Sequence, residues 1–279
     1  MKSRTMQRVN TGIIFLFLTL VSLVTLYPLV YVVAGAFSPG SSIASLSVVP
    51  FGDGVTLAHF RYLFESTNYL LWYRNTLIIA VFSSAGTVVI ASLGAYVFSR
   101  FRFSLKKSMM MALLILQIFP SFIGMIAIYV ILLRIGGIDT LWGLVLVYVA
   151  GNIPYNVWLV KSYLDTIPRS LDEAARIDGA SHFSVFYRIV LPVAKPILTF
   201  LMISSFTTPW LDFIFPKMVL RSSEKQTLAL GLFSLVTDKK NLFTTFAAGA
   251  LLVAIPFIIF FVLTQKTLVT SLGGAAVKE

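Results

Sequence analysis

The 279-residue chain has no cysteine. That excludes a disulfide scaffold, thiolate metal sites and a cysteine nucleophile. Charge is also scarce. Asp, Glu, Lys and Arg make up 12% of the residues, about half the share usual in soluble domains, so water is not the main solvent for this chain. Acids are the scarcer sign, 11 against 22 bases. Asp212 is the one carboxylate inside an apolar segment, near that segment's end, and no pair of acids lies mid-segment. The two histidines, His59 and His182, are too far apart to form a metal or catalytic cluster, and His182 reads as a solvated loop residue. No GxxxxGK[ST] phosphate loop is present, so any nucleotide energy must come from another chain. No catalytic constellation and no metal site is visible, and the chain reads as a non-enzyme.

What is abundant is long apolar sequence. Mean hydropathy is +0.90 and 58% of residues are hydrophobic. A membrane span needs about 20 mostly apolar residues. Six segments qualify, at about 11–37, 76–98, 109–133, 141–160, 197–215 and 242–263. The expected fold is therefore all-α: one polytopic transmembrane domain, 1–279, with six transmembrane helices. The first segment follows Lys2, Arg4 and Arg8 and ends near Val33-Ala34-Gly35-Ala36, the layout of a signal peptide. Its apolar stretch far exceeds the roughly 7–15 residues of a signal-peptide core, so it reads as an uncleaved anchor.

Basic residues set the expected orientation. With the N-terminus in the cytoplasm, fourteen Lys and Arg fall inside and eight outside. Both termini are then cytoplasmic. The basic excess reads as an orientation device facing lipid, and a nucleic-acid partner is not expected. Outside lies 38–73, with the turn Ser38-Pro39-Gly40-Ser41-Ser42 and an amphipathic piece from Leu57 to Phe64. Polar residues within spans usually face protein or water. Gln117, Asn152, Asn156, Ser204, Ser205 and Thr208 are candidates for a translocation path. Helix–helix hydrogen bonding is the competing reading. Pro120, Pro154 and Pro209 can kink the helices. Ala91 with Ala95, and Ala250 with Ala254, are spaced for close packing. Trp72, Trp142 and Trp158 are expected at membrane interfaces.

The loop at 164–196 is the most informative segment. Pro168 blocks continuation of the preceding helix. Ser170-Leu171-Asp172-Glu173 has the form of a capping box, with Ser170 as N-cap. A short helix follows with Leu171, Ala174 and Ala175 on one face, and Asp178-Gly179 ends it. A second short helix, about Phe183 to Val190, is expected to stop at Leu191-Pro192. Alanines flanked by Glu173 and Arg176 make a smooth knob suited to a cleft on another protein. A helix lying on lipid would instead carry large apolar anchors.

Glu173-Ala174-Ala175, Asp178-Gly179-Ala180, Ile189 after nine residues, then Leu191-Pro192 and Pro196 resemble the EAA loop of permease subunits from binding-protein-dependent ABC importers. Asn75-Thr76-Leu77, the run Ala95 to Phe103, and Gln117-Ile118-Phe119-Pro120 extend the likeness to the shorter permease of carbohydrate importers, over nearly the whole chain. The glycine-rich end Ser271 to Glu279 resembles that of maltose and maltodextrin permeases. The resemblance implies a type I importer permease working by alternating access. It implies a second permease subunit, two cytoplasmic ATPase subunits that bind the ATP and Mg, and an extracytoplasmic sugar-binding protein, with no cofactor on this chain. It places ATPase coupling at Ser170, Leu171, Glu173, Ala174, Ala175, Arg176, Asp178, Gly179 and Ala180. Glu173 matches the position that pairs with a basic ATPase residue, and Gly179 the position where bulk spoils docking. It places an ATPase-interface tail in 266–279 at Gly273, Gly274 and Lys278. An outer loop of Phe233, Ser234, Leu235, Val236, Thr237 and Asp238 aligns with a segment that contacts the binding protein. Maltodextrin is the leading substrate, with raffinose, other oligosaccharides and glycerol phosphate open. An ion-coupled secondary transporter is the alternative. It would show internal repeats or buried carboxylates, and neither is visible.

Overall fold

The computed structural model describes residues 2–118, 121–237 and 241–276, with side chains described for 11–118, 123–237 and 241–265. Among these the regular structure is helical, as lipid demands of a backbone whose polar groups must pair within their own segment. The helices are α1 (Lys2–Phe37), α2 (Ala58–Ser66), α3 (Tyr69–Arg100), α4 (Lys106–Ile118), α5 (Ser121–Arg134), α6 (Leu141–Asp165), α7 (Ser170–Ile177), α8 (His182–Val185), α9 (Leu191–Val193), α10 (Lys195–Leu211), α11 (Ile214–Val219), α12 (Leu228–Thr237) and α13 (Phe243–Ala276). Four segments are long and apolar enough to cross a bilayer alone: Thr11–Phe37, α3, α6 and Phe243–Gln265. Two bent helix pairs, α4 with α5 and His182–Val193 with α10, raise this to six if each pair makes one span.

The structure moves several expected boundaries. The segment read as 109–133 is two helices, α4 and α5. The segment read as 197–215 is helical only to Leu211, two residues after the buried Pro209. Asp212 is extended there, and its Oδ1 accepts from the N–H of Phe215 at 3.2 Å, so the carboxylate caps the start of α11. Its Oδ2 accepts from the Tyr148 hydroxyl at 2.9 Å. This places Asp212 at a helix junction. The tail at 266–279 is helical through Ala276.

Contacts divide the chain into two compact units. One comprises residues 1–69 and 232–255. Its buried members include Ala36, Leu63, Tyr69, Ala247 and Ala248. The Tyr69 hydroxyl donates to the Gly249 carbonyl at 2.9 Å, and His59 Nε2 lies 2.8 Å from the Ser38 carbonyl.

The other unit comprises residues 70–231 and 256–279. Here α3 packs closely on α6. An added Cβ at Gly86 would lie 2.9 Å from Val149 and one at Gly94 3.3 Å from Val157. Ala91 and Ala95, between and beyond these glycines, are fully buried. Small residues thus let two backbones approach where lipid offers no hydrophobic drive to associate. Trp72 packs inward. It is buried against Gly231, where a Cβ would fall 2.0 Å from the indole ring. Trp158 is tied inward, its Nε1 donating to the Met110 carbonyl at 3.0 Å. Between α5 and α6, Asp139 gathers the chain around 221–225. Its carboxylate accepts from the N–H groups of Arg221 and Ser222 at 2.9 and 3.0 Å, from the Ser222 hydroxyl, and from Lys225 Nζ at 3.4 Å. Burial acts to raise its pKa, but the hydrogen bonds from Ser222, Arg221 and Lys225 outweigh it and hold the carboxyl well below the usual range.

Two expected outcomes follow. Gly231→Ala overpacks against a buried ring and should cost about 1–3 kcal/mol, lowering the midpoint in detergent thermal unfolding. Gly151→Ala, in open space on α6, should hold or raise it. Equal midpoints would contradict this packing. Asp139 has φ 55, which Asn tolerates, so Asp139→Asn isolates the charge. A depressed carboxyl pKa stabilises above the unfolded value, about 3.9, and that stabilisation is lost as pH falls through the folded value. The gap between wild type and Asn should be widest near neutrality and should close in acid. A pH-independent gap would contradict the account.

Candidate functional site: the loop between α6 and α10

The loop begins where Arg100, at the end of α3, meets the end of α6. Helix C-termini leave carbonyls without partners. Arg100 donates Nη1 to the Leu164 carbonyl at 3.1 Å and Nη2 to the Ile167 carbonyl at 3.3 Å. The α3 end is closed reciprocally, because Arg169 Nη2 donates to the Ser99 carbonyl at 2.8 Å. The Ser99 hydroxyl donates to Asp165 Oδ1 at 2.7 Å, and Lys161 Nζ reaches Asp165 Oδ2 at 2.5 Å. These side chains bolt the loop's first strut to two long helices.

The capping box does not form. α7 starts at Ser170, with Arg169 in a helical conformation before it and no side-chain cap. Two tertiary contacts set this turn instead: Arg169 is drawn to Ser99 and Asp172 to Arg100. Asp172 and Glu173 still complement the helix dipole in the first turn. The two alanines of the expected knob do not face the same way. Asp172 is buried and Ala175 is half-buried against the core holding Ala91, Ala95 and Val160. Leu171, Glu173, Ala174, Arg176 and Ile177 are exposed, as are Ser170, Asp178 and Gly179, and Ala180 is half-buried.

The end of α7 follows expectation. Gly179 has φ +86, and its N–H donates to the Arg176 carbonyl while that of Ala180 donates to the Ala175 carbonyl, both at 3.0 Å. This is a Schellman closure with glycine in the left-handed position. Beyond it, Ser181 caps α8, accepting from Ser184 N–H at 3.2 Å. His182 is more engaged than a solvated loop residue. Its carbonyl accepts from the Tyr96 hydroxyl at 3.2 Å, its ring lies 4.8 Å from that of Phe101, and Arg176 donates to Nε2. The chain does not stop at Leu191-Pro192. It passes through a π turn, Phe186–Val190, and α9, then bends by 79° into α10. Pro192 lies in α9's first turn, where its missing N–H costs nothing.

The exposed surface is larger than the sequence reading gave it. Ile177 is 86% exposed, Phe183 71% and Tyr187 64%. These exposed apolar side chains lie in the same loop as Glu173 and Ala174 and were not among the expected site residues. Arg100, Arg169 and Asp172 were also missed as a set. The positive-inside count treated the arginines as orientation charges, and Asp172 read as part of a cap.

The other expected site residues are scattered. Phe233, Ser234, Leu235, Val236 and Thr237 form the end of α12, not a loop, and Leu235 is buried. Asp238 and Lys278 lie outside the described residues, and Gly273 and Gly274 lie in the last turns of α13. Among the path candidates, Gln117 is exposed on α4, and the others lie on α6 and α10. Asn156 Nδ2 donates to the Asn152 carbonyl at 2.7 Å, Ser204 to Leu201 and Thr208 to Ser204. The hydroxyls and this amide turn back on their own helices. Asn156 Oδ1 and the Ser205 hydroxyl are buried without a hydrogen-bond partner.

An apolar helical chain with four to six candidate spans, which clamps a charged loop to the ends of two long helices, is a multi-pass membrane component. The comparisons name the class. Residues 86–269 match the family of binding-protein-dependent transport system inner membrane components, and the chain belongs to that family. It is 41% identical to the maltodextrin transport system permease protein MdxG of Bacillus subtilis, over the full length of both chains. It is 40% identical to that organism's galactooligosaccharides transport system permease protein GanQ, covering 95% of this chain and 94% of the relative. The maltose/maltodextrin permease MalG of Escherichia coli K12 is 32% identical, covering 98% and 97%. The fold is that of a chain in a bacterial ABC transporter that imports alginate, with TM-score 0.77 at 23% identity, covering 93% of this chain and 96% of that one.

Because Gly179 sits in open space, its requirement is conformational, worth about 1–2 kcal/mol against a side chain in the left-handed region. Gly179→Val should open the loop and raise tryptic cleavage at Arg176 and Arg188 severalfold. Gly179→Asn should stay near wild type. Equal cleavage of all three would show that the turn does not depend on this conformation.

Proposed function

We propose that this chain is one permease subunit of an ATP-driven importer of oligosaccharides, with maltodextrin as the leading substrate. The observation that carries the reading is the loop at 164–196. It is rigidly seated at its base, and it presents Glu173, Ala174 and the apolar Ile177 to whatever lies beyond the membrane face. The identity to a maltodextrin permease over the whole chain supports the substrate class.

In this reading both termini and the loop face the cytoplasm. Two ATPase subunits, which bind the ATP and Mg, receive the coupling helix α7 of this chain and its counterpart on a second permease. Glu173 pairs with a basic residue of the ATPase cleft, and the alanine face lets the helix seat closely. Closure of the ATPases pulls on α7, and the permease pair turns from inward-facing to outward-facing. An extracytoplasmic binding protein then delivers sugar, and 233–238 lies toward that partner. The end of the chain, with Gly273, Gly274 and Lys278, extends along the ATPases. The polar positions Asn152, Asn156, Ser205 and Thr208 contribute to the path. This chain brings no cofactor of its own.

The test is the assembled complex in proteoliposomes with its binding protein and labelled maltodextrin. Glu173→Lys reverses the charge offered to the ATPase while leaving an exposed site structurally free. It should lower binding-protein-stimulated hydrolysis and sugar uptake together by at least about tenfold, with insertion unchanged. Full hydrolysis and uptake in this variant would remove the loop from the coupling path.

A further inference from the structure

We propose that Arg100 is a positioning residue that joins α7 to the membrane helices, and that its buried contact with Asp172 delivers displacement of α7 to α3 and α6. The inference rests on the reading of α7 as the ATPase dock and deepens it.

One guanidinium touches three elements. It stands at the end of α3, caps the carbonyls of Leu164 and Ile167 that follow from α6, and lies with Nε 2.7 Å from Asp172 Oδ2 on α7. The side chains are 6% and 12% exposed. Among the described residues this is the polar tie from α7 itself to the two long helices. Arg176 is occupied with His182, and Ala175 offers only apolar contact. The contact is unusual in kind. A carboxylate facing an arginine fork normally takes two aligned hydrogen bonds. Here the Nη groups are spent on carbonyls, the Nε–H does not point along the 2.7 Å approach, and Asp172 Oδ1 receives no hydrogen bond in this chain. Charge and proximity hold the pair, not a fixed set of aligned bonds. Such a joint resists separation, because pulling the pair apart leaves two buried charges unanswered.

The test compares wild type, Asp172→Asn, Asp172→Glu and the double variant Arg100→Met with Asp172→Leu in reconstituted complexes. Co-purification of the ATPase is measured beside sugar imported per ATP hydrolysed. Asp172→Asn keeps shape and loses charge. It should hold the ATPase but lower sugar per ATP by about tenfold, and Asp172→Glu should recover much of the loss. If Asp172→Asn does not assemble, the double variant decides, since apolar replacement of a buried pair is commonly tolerated. It should assemble and be uncoupled. An unchanged ratio in either assembled variant would overturn the joint, as would equal impairment in Asn and Glu. A wild-type complex whose hydrolysis ignores the binding protein would instead overturn the importer reading itself.

Discussion

A guanidinium withdrawn from water must have its charge answered, and the end of α3 is organised around that requirement. Arg100 finds two carbonyls left over by the end of α6 and one carboxylate from α7. Each partner solves its own problem at the same time. The carbonyls lie at and just beyond the end of a helix, where acceptors outnumber backbone donors, and Asp172 needs a cation if it is to be buried. Removing one side of such an arrangement costs about 3–5 kcal/mol, a large share of the stability of any domain.

That seat depends in turn on how closely α3 and α6 approach. Gly86, Ala91, Gly94 and Ala95 leave room for Val149 and Val157, so the two helix ends arrive side by side with Ser99, Arg100, Leu164 and Asp165 in reach. A larger residue along that seam would separate the ends and strand the polar groups. Packing in the spans and polar chemistry at the loop are thus one design. The small residues set the distance, and the charged ones use it. The same logic explains why the exposed side of the loop is free to carry Glu173, Ala174, Ile177 and Phe183. Its stability is supplied from the other side.

Much of this was legible in the sequence. Long apolar runs, the glycine at 179 and the small residues at 91 and 95 express physics that acts locally or with a fixed period, and the structure places them as those rules require. What was not legible depends on partners distant in sequence. Asp172 and Glu173 are neighbours with the same chemistry, and only the position of Arg100 in space decides that one is buried and the other exposed. Ser170 looks like a cap until Arg169 is pulled aside by Ser99. The burial of Trp72 depends on Gly231, which opens a slot for its ring. Pro192 reads as a stop, but in the first turn of α9 a proline is compatible with the helix. Phe233 to Thr237 lacked the turn residues of a loop, and an apolar run of that length fits a helix end equally well.

The central claim is that α7 is the surface through which this chain is driven by another protein. The absence of cysteine makes it directly testable, since a single introduced thiol has no competitor. Ala174→Cys would be cross-linked to a single cysteine placed in the cleft of the ATPase, with Val55→Cys, exposed in the segment between α1 and α2, as the control. The account predicts a one-to-one adduct at 174, a yield that changes when ATP binds, and transport that stops on cross-linking and returns on reduction. An adduct at 174 no more abundant than at 55, in a complex that still imports sugar, would contradict it.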